Sequence, residues 1–316
     1  MRDKLSLHAL LSLSFVVSRF LRMKPAPFDY ASPATLAEAI ALLSAGDANA
    51  MPIAGGQSLM PVLAFRLAAP KLLVDLRRIP GLNHIVIDGD GIHLGAMVRW
   101  RDIEDDARLD IAHPLLKAAI AHVAHYQIRN RGTIGGSLAH ADPAAELPGI
   151  AVTCDGVIAA CGPNGARTIQ ASAFFLGPLS TALKAGEIIT RLQLPNWPAT
   201  RRWGFEEISR RRGDFAITAI GVFYDIDAAG RAANTHIGVI GACRRPHRIA
   251  EAEAALDGHV VNDPAILAAA KAAAVAVDPP EDLHAPARYR RALVETLVER
   301  ALRQAAARSV PRNARS

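Results

Sequence analysis

The chain is short of cysteine and of aromatic residues, and both shortages narrow what it can be. Its three cysteines, Cys154, Cys161 and Cys243, show no CxxC spacing, so we expect neither a disulfide framework nor a zinc or iron–sulfur site built from this chain alone. We interpret them as small buried hydrophobic residues of a protein from a reducing, cytoplasmic compartment. Aromatic residues are 5% of the 316 residues, which favours helix-rich α/β or α+β layers over a β-sandwich.

Basic patches and membrane-spanning stretches are also missing. The net charge is +6, but the excess lies near the two ends, and no basic patch with interleaved aromatics marks a nucleic-acid-binding surface. An apolar stretch at residues 5–17 is shorter than the ~20 residues that span a bilayer, and no small-residue cleavage site follows it. We therefore predict no nucleic-acid partner and no integral membrane segment, and we interpret residues 1–22 as a non-structural extension.

From Met23 onward, the hydrophobic periodicity predicts an ordered sequence of helices and strands. A Thr35–Glu38 capping box starts the first helix, which lies among short strands. A hairpin that turns at residues 88–91 opens a second unit, which contains a helix over residues 113–125 and further strands.

After two prolines at 195 and 198, the character of the sequence changes. Three predicted strands are followed by three alanine-rich helices, a pattern typical of a separate α+β domain. Residues 306–316 are rich in arginine and lack an apolar face, so we predict a frayed tail there.

Two loops each carry a pair of adjacent glycines between an extended segment and a predicted helix. Adjacent glycines lack two Cβ atoms, so a diphosphate can approach the backbone amides, and the helix that follows would direct its positive end at the same anion. Neither loop is G-x-G-x-x-G or GxxxxGK[ST]. The residues alone leave anion-binding loops and simple tight turns evenly balanced. The candidates are Ala54, Gly55, Gly56, Gln57, Ser58 and Leu59 in the first glycine loop, and Thr133, Ile134, Gly135, Gly136 and Ser137 in the second.

Two carboxylates, Asp142 and Glu146, follow the second glycine loop at a predicted helix start. They could accept hydrogen bonds from ribityl or ribose hydroxyls, or they could simply interact with the helix terminus. The helix-terminus role is favoured for Asp142, which precedes a proline, and the ligand role for Glu146, one turn further on.

Other candidates are weaker. His122 and His125 are three residues apart on the predicted helix, but no third metal ligand stands at a recognisable spacing, so exposed helix surface is favoured. The run Arg210–Arg212 could bind a phosphate or an acidic partner, although a solvated turn is favoured.

No nucleophile–base pair or HExxH motif is visible, so we predict no catalytic residue and no metal site in this chain. A bound cofactor would have to carry any reaction.

Three stretches, AGGQSLMP, QIRNRGTIGGSLAHADPAAELP and FEEISRRRGDFAI, together resemble the FAD-binding medium subunit of the molybdenum hydroxylases, the family of carbon monoxide dehydrogenase and bacterial xanthine dehydrogenase. The resemblance implies an α+β fold. A two-lobed FAD-binding domain of the vanillyl-alcohol-oxidase (PCMH) type would precede a C-terminal α+β domain, a three-stranded antiparallel sheet plus helices. The implied bounds are residues 23–198, with lobes of about 23–78 and 79–198, and residues 199–305.

The resemblance also implies roles for particular residues. The two glycine loops would hold the FAD pyrophosphate, Glu146 would contact the cofactor, and Ile188 or Ile189 would pack near the flavin or the adenine. Ser137 stands where many relatives have asparagine. Glu206 stands where several xanthine-oxidising relatives have a lysine close to the flavin, and a carboxylate there would disfavour an anionic reduced flavin.

The implied function is an electron relay. A molybdopterin-binding large subunit would oxidise substrate, a small subunit with [2Fe–2S] clusters would pass on the electrons, and FAD in this chain would deliver them to NAD, a quinone or another acceptor. The assembly would be a dimer of heterotrimers. Two alternatives are a stand-alone flavin-dependent oxidoreductase, which needs a base or acid that the sequence does not show, and a flavin-less assembly module, which the intact glycine pairs disfavour.

Overall fold

The computed structural model of the chain describes residues 24–46 and 49–308. The extension predicted for residues 1–22 lies outside the described residues, as do residues 309–316 of the predicted tail. Residues 306 and 307 belong to the last helix.

The first lobe is a three-stranded parallel sheet in which β3 lies between β1 and β2. Its first helix starts at the predicted capping box, because the Thr35 hydroxyl accepts a hydrogen bond from the Glu38 amide and the Glu38 carboxylate accepts one from the Thr35 amide. The elements are β1 (Asp29–Ala31), α1 (Leu36–Ala45), β2 (Ala50–Ile53), α2 (Leu59–Ala64) and β3 (Leu72–Asp75).

The second lobe is a five-stranded antiparallel sheet in the order β4-β5-β10-β6-β7, with short helices packed against it. Its elements are β4 (Ile85–Asp88), β5 (Gly91–Gly95), α3 (Trp100–Asp105), α4 (Leu109–Ala112), α5 (Pro114–Ile120), α6 (Tyr126–Arg129), α7 (Ile134–His140), α8 (Glu146–Thr153), β6 (Val157–Gly162), β7 (Gly165–Gln170), α9 (Ala171–Phe174), β8 (Phe175–Gly177), β9 (Ser180–Thr181) and β10 (Ile188–Leu194).

The single helix predicted over residues 113–125 is wrong. Helix α5 ends at Ile120, and Ala124 adopts a left-handed backbone with φ 42°, which no α-helix continues through. The Arg129 guanidinium donates hydrogen bonds of 3.1 Å to the carbonyls of Val123 and Ala124, so the interruption is stabilised from within the chain.

The C-terminal domain is a four-stranded antiparallel sheet with three helices on one face. The sequence predicted three strands, and the fourth was missed because it has only two residues, too few for a hydrophobic alternation to be visible. The elements are β11 (Arg202–Ile208), β12 (Thr218–Ile226), β13 (Ala232–Ile240), β14 (His247–Arg248), α10 (Ala250–Leu256), α11 (Asp263–Ala276) and α12 (Ala287–Ala307).

The two faces of the C-terminal sheet belong to different cores. On one face, Ala219 and Phe223 join the core of the second lobe and pack towards α8. On the other face, Ile220 and Val222 pack with the C-terminal helices. The sheet therefore serves as a wall shared between the C-terminal helices and the second lobe.

His113 is fully buried beneath the Trp197 ring and caps α5, because its Nδ1 accepts a hydrogen bond of 3.1 Å from the Leu116 amide. Burial lowers the pKa of His113 to about 3. Below about pH 6.5 the unfolded chain protonates this histidine, whereas the folded chain keeps it neutral. Its contribution to the free energy of unfolding is therefore fully present above pH 6.5 and is lost as the pH falls towards 3.

We expect His113→Asn, which keeps a cap acceptor, to remove this acid sensitivity. The free energy of unfolding of the parent should fall by up to about 1.4 kcal/mol per pH unit more steeply than that of the variant below pH 6. Urea titrations at a series of pH values measure this difference. The exposed His259 supplies the control substitution, and equal slopes for parent and His113→Asn would contradict the assignment.

Candidate functional site

A cavity of about 1220 Å³ lies where the two lobes and the C-terminal domain meet. Both glycine loops line it, together with side chains from α8, β10 and the ends of the C-terminal strands. The predicted site residues that line the cavity are Ala54, Gly55, Gly56, Gln57, Ser58, Leu59, Thr133, Gly135, Gly136, Ser137, Asp142, Glu146, Ile188 and Ile189.

The two glycine loops pack directly against each other. A Cβ on Gly55 would meet the backbone of Arg131 and would lie 2.9 Å from the Gly132 Cα, so only glycine fits. Gly56 adopts φ +73°, which favours glycine for a different reason. Glycine is therefore required at position 55 by the close approach of the other loop and at position 56 by the backbone conformation.

The two glycines of the second loop are also required for different reasons. A Cβ on Gly135 would lie 2.6 Å from the Ala96 Cβ, so this glycine lets α7 approach the end of β5. At Gly136 a Cβ would lie 2.9 Å from the Thr133 hydroxyl of the same loop and 3.8 Å from the Ala54 Cβ of the opposite loop. Glycine at 136 therefore leaves room for the Thr133 cap, and a larger side chain there would extend towards the opposite loop.

Backbone donors line this space. Within the described part of the chain, the amides of Gly56, Gln57 and Ser58 donate to no protein acceptor. In the second loop, the Thr133 hydroxyl accepts a hydrogen bond of 3.2 Å from the Gly136 amide and caps α7. Free amides beside a surface without side chains are what a phosphate group requires.

Glu146 is the first residue of α8 and is only 4% exposed. Its burial, reinforced by the charges of Glu207 and Asp142, raises the pKa of Glu146 to about 8. The carboxyl group is therefore largely neutral at pH 7 and can both donate and accept a hydrogen bond. A neutral carboxyl beside an anion-binding loop suits the hydroxyl groups of a nucleotide better than a second phosphate.

We expect Glu146→Gln to make the cofactor-free chain more stable at alkaline pH. The folded state holds a proton on Glu146 that the unfolded state releases near pH 4.5, so the stability present below that pH is lost as the pH rises through about 8. The parent should lose up to about 1.4 kcal/mol per pH unit relative to the variant between pH 5 and 8, measured by urea unfolding. If the free energy of unfolding of parent and variant depended on pH in the same way, Glu146 would be ionised in the folded chain.

One oxygen of the Asp142 carboxylate is engaged by a nearby residue, because Oδ1 accepts a hydrogen bond of 2.9 Å from the Ala144 amide.

The adjacent residues Ile188 and Ile189 both line the cavity, but they belong to different hydrophobic cores. Ile188 packs in the core of the first lobe and Ile189 in that of the second.

Two predicted site residues are not brought to the cavity. Ile134 is fully buried in the second-lobe core, and only its backbone takes part in the loop. Glu206 is not among the residues that line the cavity, and the strand register pairs it with Ile220 on the face covered by the C-terminal helices. Its neighbour Glu207 pairs with Ala219 and faces α8, because adjacent residues of a strand point to opposite faces.

The sequence did not indicate how much of the cavity the C-terminal domain provides. Arg210 and Arg211, which it did single out, line the rim and pair with Asp214 at 3.1 and 3.0 Å. Phe215, next along the chain, is 56% exposed and lines the rim as well. The stretch FEEISRRRGDFAI contains these positions, but it does not show that they reach the cavity, because only the folding of the domain against the lobes brings them there.

Arg290, on α12, is another residue that the sequence did not indicate. It is 4% exposed and lines the cavity, and its guanidinium donates to the carbonyls of Ile217 and Gly241 and to the Asp282 carboxylate. This single side chain fastens the ends of β12 and β13 to α12.

The described ranges, 24–46 and 49–308, contain no group of three or more His, Cys, Asp or Glu side chains arranged to hold a metal ion. His122 is 3.6 Å from Glu207 instead of facing a second histidine ligand. In the same ranges, no helix is both long and apolar enough to cross a membrane.

The cavity fits a dinucleotide flavin. Glycine at 136 carries no side chain that would extend towards the opposite loop, the first loop has free amides for a diphosphate, and the buried Glu146 stands where hydroxyl groups would follow. The apolar Ile188 and Ile189 provide a surface for a planar ring.

Comparison with known proteins identifies the family to which the chain belongs. Residues 26–197 match the FAD binding domain in molybdopterin dehydrogenase, and residues 203–305 match the CO dehydrogenase flavoprotein C-terminal domain. The nicotine 6-hydroxylase medium subunit of Paenarthrobacter nicotinovorans is 39% identical over 287 residues, 91% of this chain and 100% of that protein.

The carbon monoxide dehydrogenase medium chain of Hydrogenophaga pseudoflava is 34% identical over 286 residues, 90% of this chain and 99% of that protein. A solved structure of carbon monoxide dehydrogenase from the same organism superposes with a TM-score of 0.87 at 36% identity, covering 90% of this chain and 99% of that chain. The chain belongs to the FAD-binding medium subunits of the molybdenum hydroxylase family, and it is thus an oxidoreductase subunit with FAD as its cofactor.

Proposed function

We propose that this chain relays electrons within a molybdenum hydroxylase complex. It would receive them from [2Fe–2S] clusters of a small subunit and deliver them through FAD to an external acceptor such as NAD or a quinone. A molybdopterin-binding large subunit would supply the electrons by oxidising substrate, in a cytoplasmic dimer of heterotrimers. The observation that carries the proposal is the meeting of both glycine loops and Glu146 in one cavity.

The residues have distinct tasks in this proposal. The free amides of Gly56, Gln57 and Ser58 would bind the pyrophosphate, and Glu146 would hold ribityl or ribose hydroxyls. Ile188 and Ile189 would pack against a ring of the cofactor. Bound FAD accepts and returns one or two electrons, which lets it connect one-electron clusters to a two-electron acceptor.

The stand-alone alternative has less support. Glu146 is the one strongly perturbed carboxyl that lines the cavity in the described part of the chain, and no acid–base partner for it was indicated by the sequence. Reduction or oxidation of a small molecule by the isolated chain would favour this alternative over the relay.

The first test is the visible spectrum of the purified chain, followed by chromatography of the cofactor released by acid. We expect flavin absorbance and release of FAD, followed by co-purification of large and small subunits. Gly136→Val should lose most of the flavin, because its side chain would displace the Thr133 hydroxyl and extend towards the opposite loop.

Gly177→Val is the matched control, since a Cβ on Gly177 meets no atom within 4 Å. Release of FMN would contradict binding of a pyrophosphate by the two loops. A colourless chain that takes up no added FAD would leave only the assembly role.

A further inference from the structure

Three loops of the C-terminal domain form one rim of the cavity, which we call the C-terminal rim. Strand β11 ends beside the start of β12, and β13 ends on the other side of β12 at the same level, so the loops over residues 209–217 and 241–246 leave the sheet at one edge. The loop over residues 279–285 joins them, because Arg290 donates hydrogen bonds to one residue of each loop, Ile217, Gly241 and Asp282. All three loops contribute to the cavity wall.

The C-terminal rim is basic. Its loops carry five arginines, all of them exposed, against three carboxylates. Asp214 pairs with Arg210 and Arg211, and Asp282 pairs with the buried Arg290. The other arginines of the rim form no salt bridge within the described ranges, and they are Arg212, Arg244 and Arg245. Their guanidinium charges are therefore available to an anionic partner.

The three unpaired arginines lie outside the cavity wall. Arg210 and Arg211 line the cavity, whereas the unpaired three do not. An anion small enough to enter the cavity, such as a nucleotide, would meet the first two arginines, whose charge Asp214 already offsets in part. A larger molecule that rests on the rim would meet all five. The position of the unpaired charges therefore favours a macromolecule over a second dinucleotide.

Two large apolar side chains stand among these arginines. Phe215 is 56% exposed, and the Leu283 side chain is fully exposed. Aromatic side chains and arginine are enriched in protein–protein interfaces. The rim also contains the carboxylates of Asp214, Glu281 and Asp282, so its charges are mixed in sign. A protein can match such a pattern with fixed charges of its own, whereas a uniformly anionic lipid surface cannot.

We propose that the C-terminal rim docks an acidic electron-carrier protein, which takes electrons from reduced FAD. The inference rests on the proposed function and identifies its external acceptor by class. Reduced FAD gives one electron to each of two oxidised carriers in succession. The flavin is thereby oxidised, each carrier is reduced by one electron, and the protons bound to the reduced flavin go to water. The negative face of the carrier is attracted to the rim, which speeds association.

The test compares two haem proteins that each accept one electron and have opposite surface charge. The full-length chain, loaded with FAD and photoreduced, is mixed without oxygen with the acidic soluble domain of cytochrome b5 or with the basic cytochrome c. We expect the acidic cytochrome to be reduced about tenfold faster in about 20 mM salt than in about 500 mM salt, because salt screens the attraction. The rate with the basic cytochrome should not fall as salt is added.

Two variants with the same net charge locate the effect. The rim variant combines three substitutions, Arg212→Gln, Arg244→Gln and Arg245→Gln. At low salt it should reduce the acidic cytochrome about tenfold more slowly than the parent, and at high salt the two rates should converge. The matched control combines glutamine substitutions of three exposed arginines outside the cavity wall, Arg78, Arg191 and Arg300. Its rate should stay within about twofold of the parent rate.

Four results would overturn the proposal. The first is a parent rate with the acidic cytochrome in the rim variant. The second is a loss of NAD reduction in that variant while the acidic cytochrome is unaffected, which would assign the rim to a dinucleotide. The third is binding of the chain to phosphatidylserine vesicles and not to the cytochrome. The fourth is an equal rate for parent and rim variant in the purified complex, which would mean that another subunit covers the rim.

A second measurement needs no flavin. Calorimetric titration of the cofactor-free chain with the oxidised acidic cytochrome at low salt should show binding that weakens about tenfold in the rim variant and not in the control. A chain that shows this binding but holds no FAD would contradict the proposed function alone. A chain that holds FAD but shows no such binding would contradict the docking surface alone.

Discussion

Replacement of Gly55 by alanine is expected to lower the free energy of unfolding by about 3 kcal/mol and to abolish FAD retention. The added Cβ would collide with the Arg131 carbonyl group, and the nearest atoms are all backbone. A backbone cannot rotate out of the way as a side chain can, so the two glycine loops must separate. Because the pyrophosphate is proposed to lie between these loops, the loss of stability and the loss of FAD should occur together.

Gly89→Ala is the matched control for this substitution. Gly89 lies in the β4–β5 turn with no positive φ, and a Cβ there meets no atom within 4 Å. Its effect should stay within about 0.5 kcal/mol. Urea unfolding gives the stability of each variant, and the ratio of flavin to protein absorbance gives the FAD content. A stable Gly55→Ala chain with full flavin would show that the two loops are not rigidly packed.

Arg290→Met is expected to have a comparable effect at the other end of the cavity. The substitution leaves the carbonyls of Ile217 and Gly241 buried without their donor and leaves Asp282 without its partner. We expect a loss of about 3 kcal/mol in the free energy of unfolding. The ends of β12 and β13 should also loosen, so FAD should dissociate faster.

Arg288→Met provides the comparison, since Arg288 is an exposed arginine two residues earlier on the same helix. It should unfold at the same urea concentration as the parent. Hydrogen exchange at residues 216–217 and 241 reports the loosening directly. Unchanged exchange in Arg290→Met would mean that these strand ends are held by packing and not by the guanidinium.

Local signals in the sequence predicted much of the fold. The Thr35–Glu38 capping box marks the start of α1, where the structure forms both of its hydrogen bonds. Such signals depend on residues three or four positions apart, so the sequence alone contains them. The glycine pairs are also local, and the structure brings both loops to one cavity.

The failures involve contacts that are distant in sequence. Which face of β11 carries Glu206 depends on the register with β12 and on what packs on each side, and neither can be read from the strand itself. The break at Ala124 depends on Arg129 and on the neighbouring Gly213 loop. Arg290 reaches carbonyls 73 and 49 residues away.

The adjacent residues Ile188 and Ile189 have a mechanical consequence. The peptide bond between them joins the hydrophobic cores of the two lobes, as do the bonds that flank Met97, so neither core can open far without pulling a side chain out of the other. We expect amide hydrogens of both lobes to exchange through a shared opening event, as one cooperative unit. The walls that the lobes contribute then behave as a fixed cleft. We expect the C-terminal rim, where Arg210, Arg211 and Phe215 lie exposed, to be the more mobile wall of the cavity.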